Sequence, residues 1–296
     1  MFNKITPEIT KKLTAICGEK NVSSSPEDLE KYSHDEVPEE KKHPEIVVKP
    51  ASAQEVSEIM KLANEHMLPV TPRGGGTGLS GGAVPVQGGI LLSLERMNRI
   101  LEIDEDNLMA VVEPGVVIAD LRKAVAEKGL LYPVDPASLD SCHVGGNIAE
   151  CAGGASAVKY GVTKNYVTGL EAVLPTGEIL HLGGKLVKNV TGYDLISLIT
   201  GSEGTLAVVT KAILRLVPAP KMKITLLVPY DSLDSAIQTV SAIIKNKIVP
   251  ATIEVMDSAT IKICGAYLKR TIPFSDAAAH LLVEIHGNSK DDLERD

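Results

Sequence analysis

The 296-residue sequence predicts an α+β fold built from two successive α/β units and a smaller α+β unit after a proline break. Three observations carry this. Short aliphatic or β-branched runs alternate with amphipathic helical stretches up to residue 217. Glycine-rich loops follow strands there instead of opening helices. Pro218-Ala219-Pro220 then separates a differently patterned C-terminal stretch.

Taken in order, Thr6 caps a helix that runs from Pro7, a residue suited to the first turn, to about Glu19. Asn21 to Pro44 is polar and charge-rich, and reads as a linker or wrapping loop, so residues 1–45 form an N-terminal helix and wrapping segment. Ile46-Val47-Val48 is a short buried strand. Ser52 and Glu55 make a capping-box pair ahead of a helix to about His66, and Leu68 to Thr71 is the next strand. Strand, helix and strand in this order make a βαβ unit, with the glycine loop after its second strand. Ile90 to Leu94 and Met109 to Val112 are further strands, and Ile118 to Lys128 is an amphipathic helix stopped by Gly129. Val167 to Leu174 and Glu178 to Leu182 form a hairpin around Pro175-Thr176-Gly177, and Leu206 to Val217 is a long strand. Residues 46–219 thus form one domain, with subdomains of about 46–105 and 106–219. Beyond the break come a strand (Lys223 to Val228), a helix (Ser232 to Lys245) and strands at Ala251 to Val255 and Leu281 to Ile285. This resembles half of a ferredoxin-like unit and makes residues 220–296 a partial cap domain. It has the look of a sheet cut partway, with an unpaired edge strand.

Composition narrows the class. A net charge of −8, with no arginine-rich run, argues against nucleic acid as a partner. With no tryptophan and two phenylalanines, the core must be aliphatic. Cys17, Cys142, Cys151 and Cys264 show no CxxC spacing and suggest neither a metal site nor a disulfide framework. No signal-peptide core or membrane-length apolar run is visible, so a cytoplasmic location is expected, or one peripheral to the membrane through a partner.

The densest chemical signal is Pro72-Arg73-Gly74-Gly75-Gly76-Thr77-Gly78-Leu79-Ser80-Gly81-Gly82. Gly76 to Gly81 matches G-x-G-x-x-G, and Glu95 stands near the distance of a ribose-binding acid. The dinucleotide fingerprint must open a helix, however, and Gly81, Gly82, Pro85, Gly88 and Gly89 permit none here. Gly184-Lys185-Leu186 likewise lacks the hydroxyl of a phosphate-binding P-loop. What remains is a helix-free nest of N–H groups suited to a diphosphate, to which Arg73 can add charge. A second cluster runs from Asp135 to Gly154, and a third is Gly201-Ser202-Glu203-Gly204-Thr205-Leu206. A ligand touching all three must be long, which favours a dinucleotide over a mononucleotide.

This set resembles the flavoprotein family of vanillyl-alcohol oxidase and p-cresol methylhydroxylase, in its glycolate oxidase and D-lactate dehydrogenase branch. The matching elements are the first glycine loop, Ser141-Cys142-His143-Val144-Gly145-Gly146-Asn147-Ile148-Ala149-Glu150-Cys151-Ala152-Gly153-Gly154, Lys159-Tyr160-Gly161, and Gly192-Tyr193-Asp194-Leu195 leading to the third cluster. The resemblance covers residues 40 to 220 and continues more weakly beyond. It implies a PCMH-type FAD-binding domain of two α/β subdomains with extended, non-covalent FAD, followed by part of a ferredoxin-like cap. By this match Pro72, Arg73, Gly74, Gly75, Gly76, Thr77, Gly78, Gly81 and Gly82 hold the pyrophosphate. Pro136, Ser138, Ser141, Cys142, Gly145, Gly146 and Asn147 line the ribityl chain and flavin, with Gly153 and Gly154 close by. Glu203, Gly204, Val208 and Val209 supply adenine-side and backbone contacts. Thr77 stands where covalent family members often carry histidine, so no histidyl link is expected, and Cys142 and Cys151 read as small packing residues.

The resemblance further implies oxidation of a D-2-hydroxy acid, lactate or glycolate, to the 2-oxo acid by hydride transfer to flavin N5, with a base taking the hydroxyl proton. His143, in a flavin-loop motif, is the local candidate for that base; the alternative is a loop histidine bonded to backbone. No histidines pair at metal-ligand spacing, and a divalent metal is expected only through a C-terminal region this sequence lacks. The second reading is an FAD-binding electron-transfer subunit that needs a partner. The acceptors expected from the resemblance are an electron-transferring flavoprotein, an iron–sulfur subunit or quinone. An enolpyruvyl-glucosamine reductase and the FAD subunit of molybdenum hydroxylases have similar lengths but match the loop motifs poorly.

Overall fold

The computed structural model describes residues 2–295. Helix α1 (Pro7–Cys17) is capped by Thr6, whose Oγ1 accepts from the Ile9 N–H at 3.3 Å, and it buries Ile9, Leu13 and Cys17. Residues 21–44 are not all loop. They contain strand β1 (Val22–Ser23) and helix α2 (Pro26–Lys31), the latter capped by Ser25 with proline in its first turn. A helix with no buried residue has no apolar stripe to reveal it, and the Ser25-Pro26 start was its visible signal.

Strands β2 (Ile46–Val48), β3 (Val70–Arg73) and β4 (Ile90–Ser93), with helix α3 (Ala53–Glu65) between the first two, complete the first subdomain. The sheet order is β1-β2-β4-β3; β2 and β3 both run parallel to β4, while β1 is antiparallel to β2. β3 lies two residues later than its hydrophobic run suggests, because Pro72 and Arg73 pair with Leu92 and Ser93. Leu13, Val56, Ile59, Ile90 and Leu92 form the aliphatic core of this subdomain.

The second subdomain is wholly antiparallel. Strands β5 (Ile100–Asp104), β6 (Met109–Val112), β8 (Val167–Val173), β9 (Ile179–Gly183) and β10 (Val208–Arg215) form a sheet in the order β5-β6-β10-β8-β9. Helix α4 (Ile118–Ala126) precedes β7 (Leu130–Leu131), which pairs with β11 (Val217–Pro218). Helices α5 (Val144–Glu150), α6 (Ala157–Tyr160) and α7 (Leu195–Ile199) interrupt stretches expected to be loops. α5 corrects the reading of Gly145 and Gly146 as loop glycines. A Cβ on Gly145 would stand 2.7 Å from the Pro114 side chain, so this helix carries glycine in order to approach Pro114 closely.

After the proline break come β12 (Met222–Tyr230), α8 (Leu233–Lys245), β13 (Thr252–Asp257), α9 (Ser258–Leu268), β14 (Ala279–Gly287) and α10 (Lys290–Arg295). The sheet order is β12-β14-β13, antiparallel throughout, with β12 and β13 as its edges. By its contacts the chain divides into two compact units. One contains the residues up to Tyr132 together with Ser138–Ala152 and Thr163–Pro218, and the other contains Pro133–Ala137, Gly153–Val162 and the residues from Ala219 onward. No helix among the described residues is long and apolar enough to cross a membrane.

Candidate functional site

The site in the larger unit is built from backbone. β3 ends at Arg73 and releases the glycine loop, in which Gly76 and Gly81 take φ values of 70° and 79°. Among the described residues, no backbone N–H from Gly74 to Gly82 meets a protein acceptor. These residues are half-exposed or exposed, so the run leaves its N–H groups free to meet an anion from solvent. Arg73 supports this loop from below. It is 8% exposed, its Nη1 donates to the His34 carbonyl at 2.6 Å, and its guanidinium lies over the Tyr32 ring. A Cβ on Gly76 would collide with that guanidinium.

The other glycine clusters converge on this loop. A Cβ on Gly75 would stand 2.5 Å from the Ser141 carbonyl and 3.2 Å from Cys142 Cα. One on Gly74 would stand 3.3 Å from the Gly146 nitrogen and 3.4 Å from His143 Cβ. The segment is itself fixed: Ser138 turns it through bonds to the Ser141 and Cys142 N–H groups, and Val144 and Gly145 donate to the Val116 and Pro114 carbonyls. The third cluster hangs on α5, since Gly201 and Glu203 donate to the Ile148 and Ala149 carbonyls. Glu203 holds a left-handed φ of 54°, and Gly204 abuts Pro72. Val208 and Val209 begin β10 opposite Val173 and Ala172.

Several polar atoms here lack partners. His143 Nδ1 and Asn147 Oδ1 are buried without a hydrogen bond, although Asn147 Nδ2 donates to the His143 carbonyl at 2.9 Å. Burial holds the His143 imidazole below the usual histidine range, with Arg73 adding to the effect and Glu95 opposing it. Gly146, by contrast, has open space where a Cβ would project. A long ligand with phosphates, hydroxyls and a polar ring fits an unpaired donor run, orphaned buried atoms and an open glycine. Pro136, Gly153 and Gly154 fall in the second unit, where a Cβ on Gly154 would collide with the Asp135 carbonyl.

Two carboxylates near the loop, Glu150 and Asp35, were not singled out from the sequence. Glu150 accepts from Ser80 Oγ at 3.1 Å and lies against Gly82, as does Glu203. Burial raises the Glu150 carboxyl, and the charges of Glu203 and Asp35 add to this. The signal for Glu150 was its position inside the second cluster. Asp35 is buried with one unpaired oxygen in a segment read as wrapping loop, and nothing in its neighbours marked it. Glu95, the acid a nucleotide fingerprint would have used, is instead held by Lys49, Tyr32 and Ser93. A cavity of about 390 Å³ opens beside Pro72, lined among others by Met60, Thr71, Gly204, Ala207 and Val208.

Convergent glycine clusters and a bare peptide loop on a two-subdomain scaffold define an FAD-binding protein. Residues 44–183 match the FAD binding domain, and residues 219–296 match the FAD linked oxidases, C-terminal domain. The chain belongs to the FAD-linked oxidases, in the branch of glycolate oxidase subunits and D-lactate dehydrogenases. It is 47% identical over 283 residues to the glycolate oxidase subunit GlcD of Bacillus subtilis, covering 96% of this chain and 60% of that protein. It is 41% identical to a D-lactate dehydrogenase of Anaerostipes hadrus, covering 99% of this chain and 62% of the relative. The chain therefore spans less than two thirds of the length of these curated relatives. Its fold is shared with p-cresol methylhydroxylase at a TM-score of 0.81 and 20% identity, covering 100% of this chain and 64% of that one.

Proposed function

We propose that this chain is the FAD-binding part of an oxidoreductase that converts a D-2-hydroxy acid, lactate or glycolate, to its 2-oxo acid. The observation that carries the reading is the convergence of Gly74–Gly82, Ser141–Asn147 and Gly201–Gly204 on one run of unpaired peptide donors. Gly74 to Gly82 hold the diphosphate, with Arg73 supplying positive charge from beneath. Gly204 and Val208, on the wall of the cavity, take the adenine side. Ser141, Gly146 and Asn147 face the flavin side, where the unpaired Asn147 oxygen accepts from a ligand donor. When bound, FAD supplies a hydride acceptor at N5. The His143 imidazole, whose Cβ packs against Gly74 and which burial holds below the usual histidine range, is the candidate for receiving the substrate hydroxyl proton. Binding is non-covalent in this reading, since Thr77 carries no imidazole for a histidyl link and Cys142 and Cys151 act as small packing residues.

Anaerobic addition of D-lactate or glycolate to the FAD-loaded protein tests this. Bleaching of the flavin band is expected; an unchanged spectrum with D-lactate, glycolate and D-2-hydroxyglutarate overturns the substrate class. A second reading follows from the relative described as a subunit of glycolate oxidase. There this chain binds FAD and needs a partner subunit for catalysis, with an electron-transferring flavoprotein, an iron–sulfur subunit or quinone as the electron acceptor. Bound flavin that the acids leave unchanged in the chain alone, with turnover restored when a second subunit is added, would favour it.

A further inference from the structure

The cavity beside Pro72 lies wholly within the larger compact unit. Its volume of about 390 Å³ falls in the range of small-molecule pockets, roughly 300–1,000 Å³. Its lining is aliphatic where Met60 and Leu68 reach it from the core of the first subdomain. Pro72 and Gly204 both line it, and a Cβ on Gly204 would stand 3.4 Å from the Pro72 ring. The cavity therefore opens where the first and third glycine clusters meet.

Two large apolar side chains at the cavity, Phe2 and Val86, are 54% and 59% exposed. Phe2 is not a loose end. Its neighbour Asn3 donates its N–H to the Met67 carbonyl at 3.0 Å and its Nδ2 to the His66 carbonyl at 2.9 Å. Met67 takes a left-handed φ of 52° just after α3. Lys4 Nζ pairs with Glu45 Oε1 at 2.8 Å, and the Ile5 N–H donates to Glu45 Oε2 at 2.8 Å. Thr6 then caps α1. Each residue from Asn3 to Thr6 is thus tied down, and this strap places Phe2 at the cavity. Ordering it costs conformational entropy, and a ring left half in water returns little of that.

Asn64, near the end of α3, and Gln87, in the turn ahead of β4, also line the cavity. Among the described residues neither side-chain amide meets a protein partner. An amide offers a donor and an acceptor side by side, the pair that matches the amino group and ring nitrogen on an edge of adenine. Aliphatic walls, an aromatic ring and free amides suit a flat base with apolar faces and a polar edge. With the diphosphate on Gly74–Gly82 and the flavin against Ser141–Asn147, adenine is the part of FAD left for a cavity walled by Pro72 and Gly204.

We propose that Phe2 is the stacking residue of the adenine pocket: the pinned N-terminal strap holds its ring against the base of bound FAD, and the Asn64 and Gln87 amides bond the base edge. This rests on the cofactor placement given above. The test titrates the apo chain with FAD by fluorescence and with ADP, which carries the adenine half alone, by calorimetry. Phe2→Ala should weaken both about tenfold, the loss of one base–aromatic stack, while the visible spectrum of bound flavin keeps its parent shape. Phe2→Tyr, which keeps a ring, should stay within about threefold of the parent for both ligands. The Asn64→Ala/Gln87→Ala pair should weaken both about fivefold. Urea melts of apo Phe2→Ala should match the parent, since the ring is half-exposed, so a lower affinity is not a loss of fold. Parent affinity for both ligands in Phe2→Ala, or FAD weakened with ADP untouched, overturns the proposal.

Failure of the cofactor placement looks different, because Gly146→Ala would then leave FAD affinity at the parent value. The pocket is decided in that case by ADP alone. Weaker ADP binding in Phe2→Ala supports a ring stacked on adenine, and unchanged ADP binding overturns it.

Discussion

At the scale of single residues, the glycine loop separates two kinds of glycine. Gly75→Ala would drive a methyl into the Ser141 carbonyl, which is backbone and cannot swing aside. Overpacking of this kind costs about 1–3 kcal/mol, so a lower urea midpoint and an FAD affinity weakened by tenfold or more are expected. Gly146→Ala meets nothing within 4 Å, so the apo protein should keep its stability while FAD titration by fluorescence shows weaker binding. Glu95 provides a pH test. Burial raises its carboxyl, but Lys49, Tyr32 and Ser93 outweigh this and hold it at about 2. A carboxyl lowered on folding stabilises above its unfolded value of about 4.3, and that contribution is lost as pH falls from about 5 toward 2. Urea melts at pH 6 and pH 3 should therefore show a smaller drop for Glu95→Gln than for the parent protein. The glycine clusters were legible because dense glycine has few other uses. Glu150 and Asp35 were not, since neither an acid at the end of a short helix nor one in a polar stretch shows which neighbour it will face.

At the scale of elements, caps and periodicity carried most of the reading. Ser52 Oγ accepts from the Glu55 N–H at 3.2 Å, as its spacing predicts, but Glu55 returns its bond to the Ala51 N–H at 2.8 Å and not to that of Ser52. Ser52→Ala should lower stability by about 1 kcal/mol, seen in the same melts. Strands β2, β3 and β4 of the first sheet and the Pro175 hairpin were visible as aliphatic runs bounded by turn residues, while β1 lay in the stretch read as loop. The elements that escaped lack that signal. α2 buries nothing, α5 contains two glycines, and α6 and α7 have only 4 and 5 residues. α5 is the instructive case: its glycines weaken the helix locally, and contact with Pro114 requires the first of them, Gly145.

At the scale of the whole molecule, two compact units predict two unfolding events. Calorimetry should resolve both, and FAD should raise chiefly the transition of the unit that holds Gly74–Gly82. Saturation at a hundred times Kd would add about 2.7 kcal/mol. A fragment beginning at Ala219 should not fold on its own. It lacks Tyr160, the partner of His286, and the rest of the Gly153–Val162 segment of its unit. Circular dichroism of that fragment, alone and with a peptide covering residues 153–162, measures this.

The weave of the chain has a consequence for descent. The backbone passes from one unit to the other at Tyr132, Ala137, Ala152, Val162 and Pro218. A recombination event at the proline break would transmit the C-terminal sheet without the two short segments it is knitted to. Such a hybrid would need a compatible donor for both, so the two units should be inherited together, and the cap should diversify by substitution and not by exchange between genes.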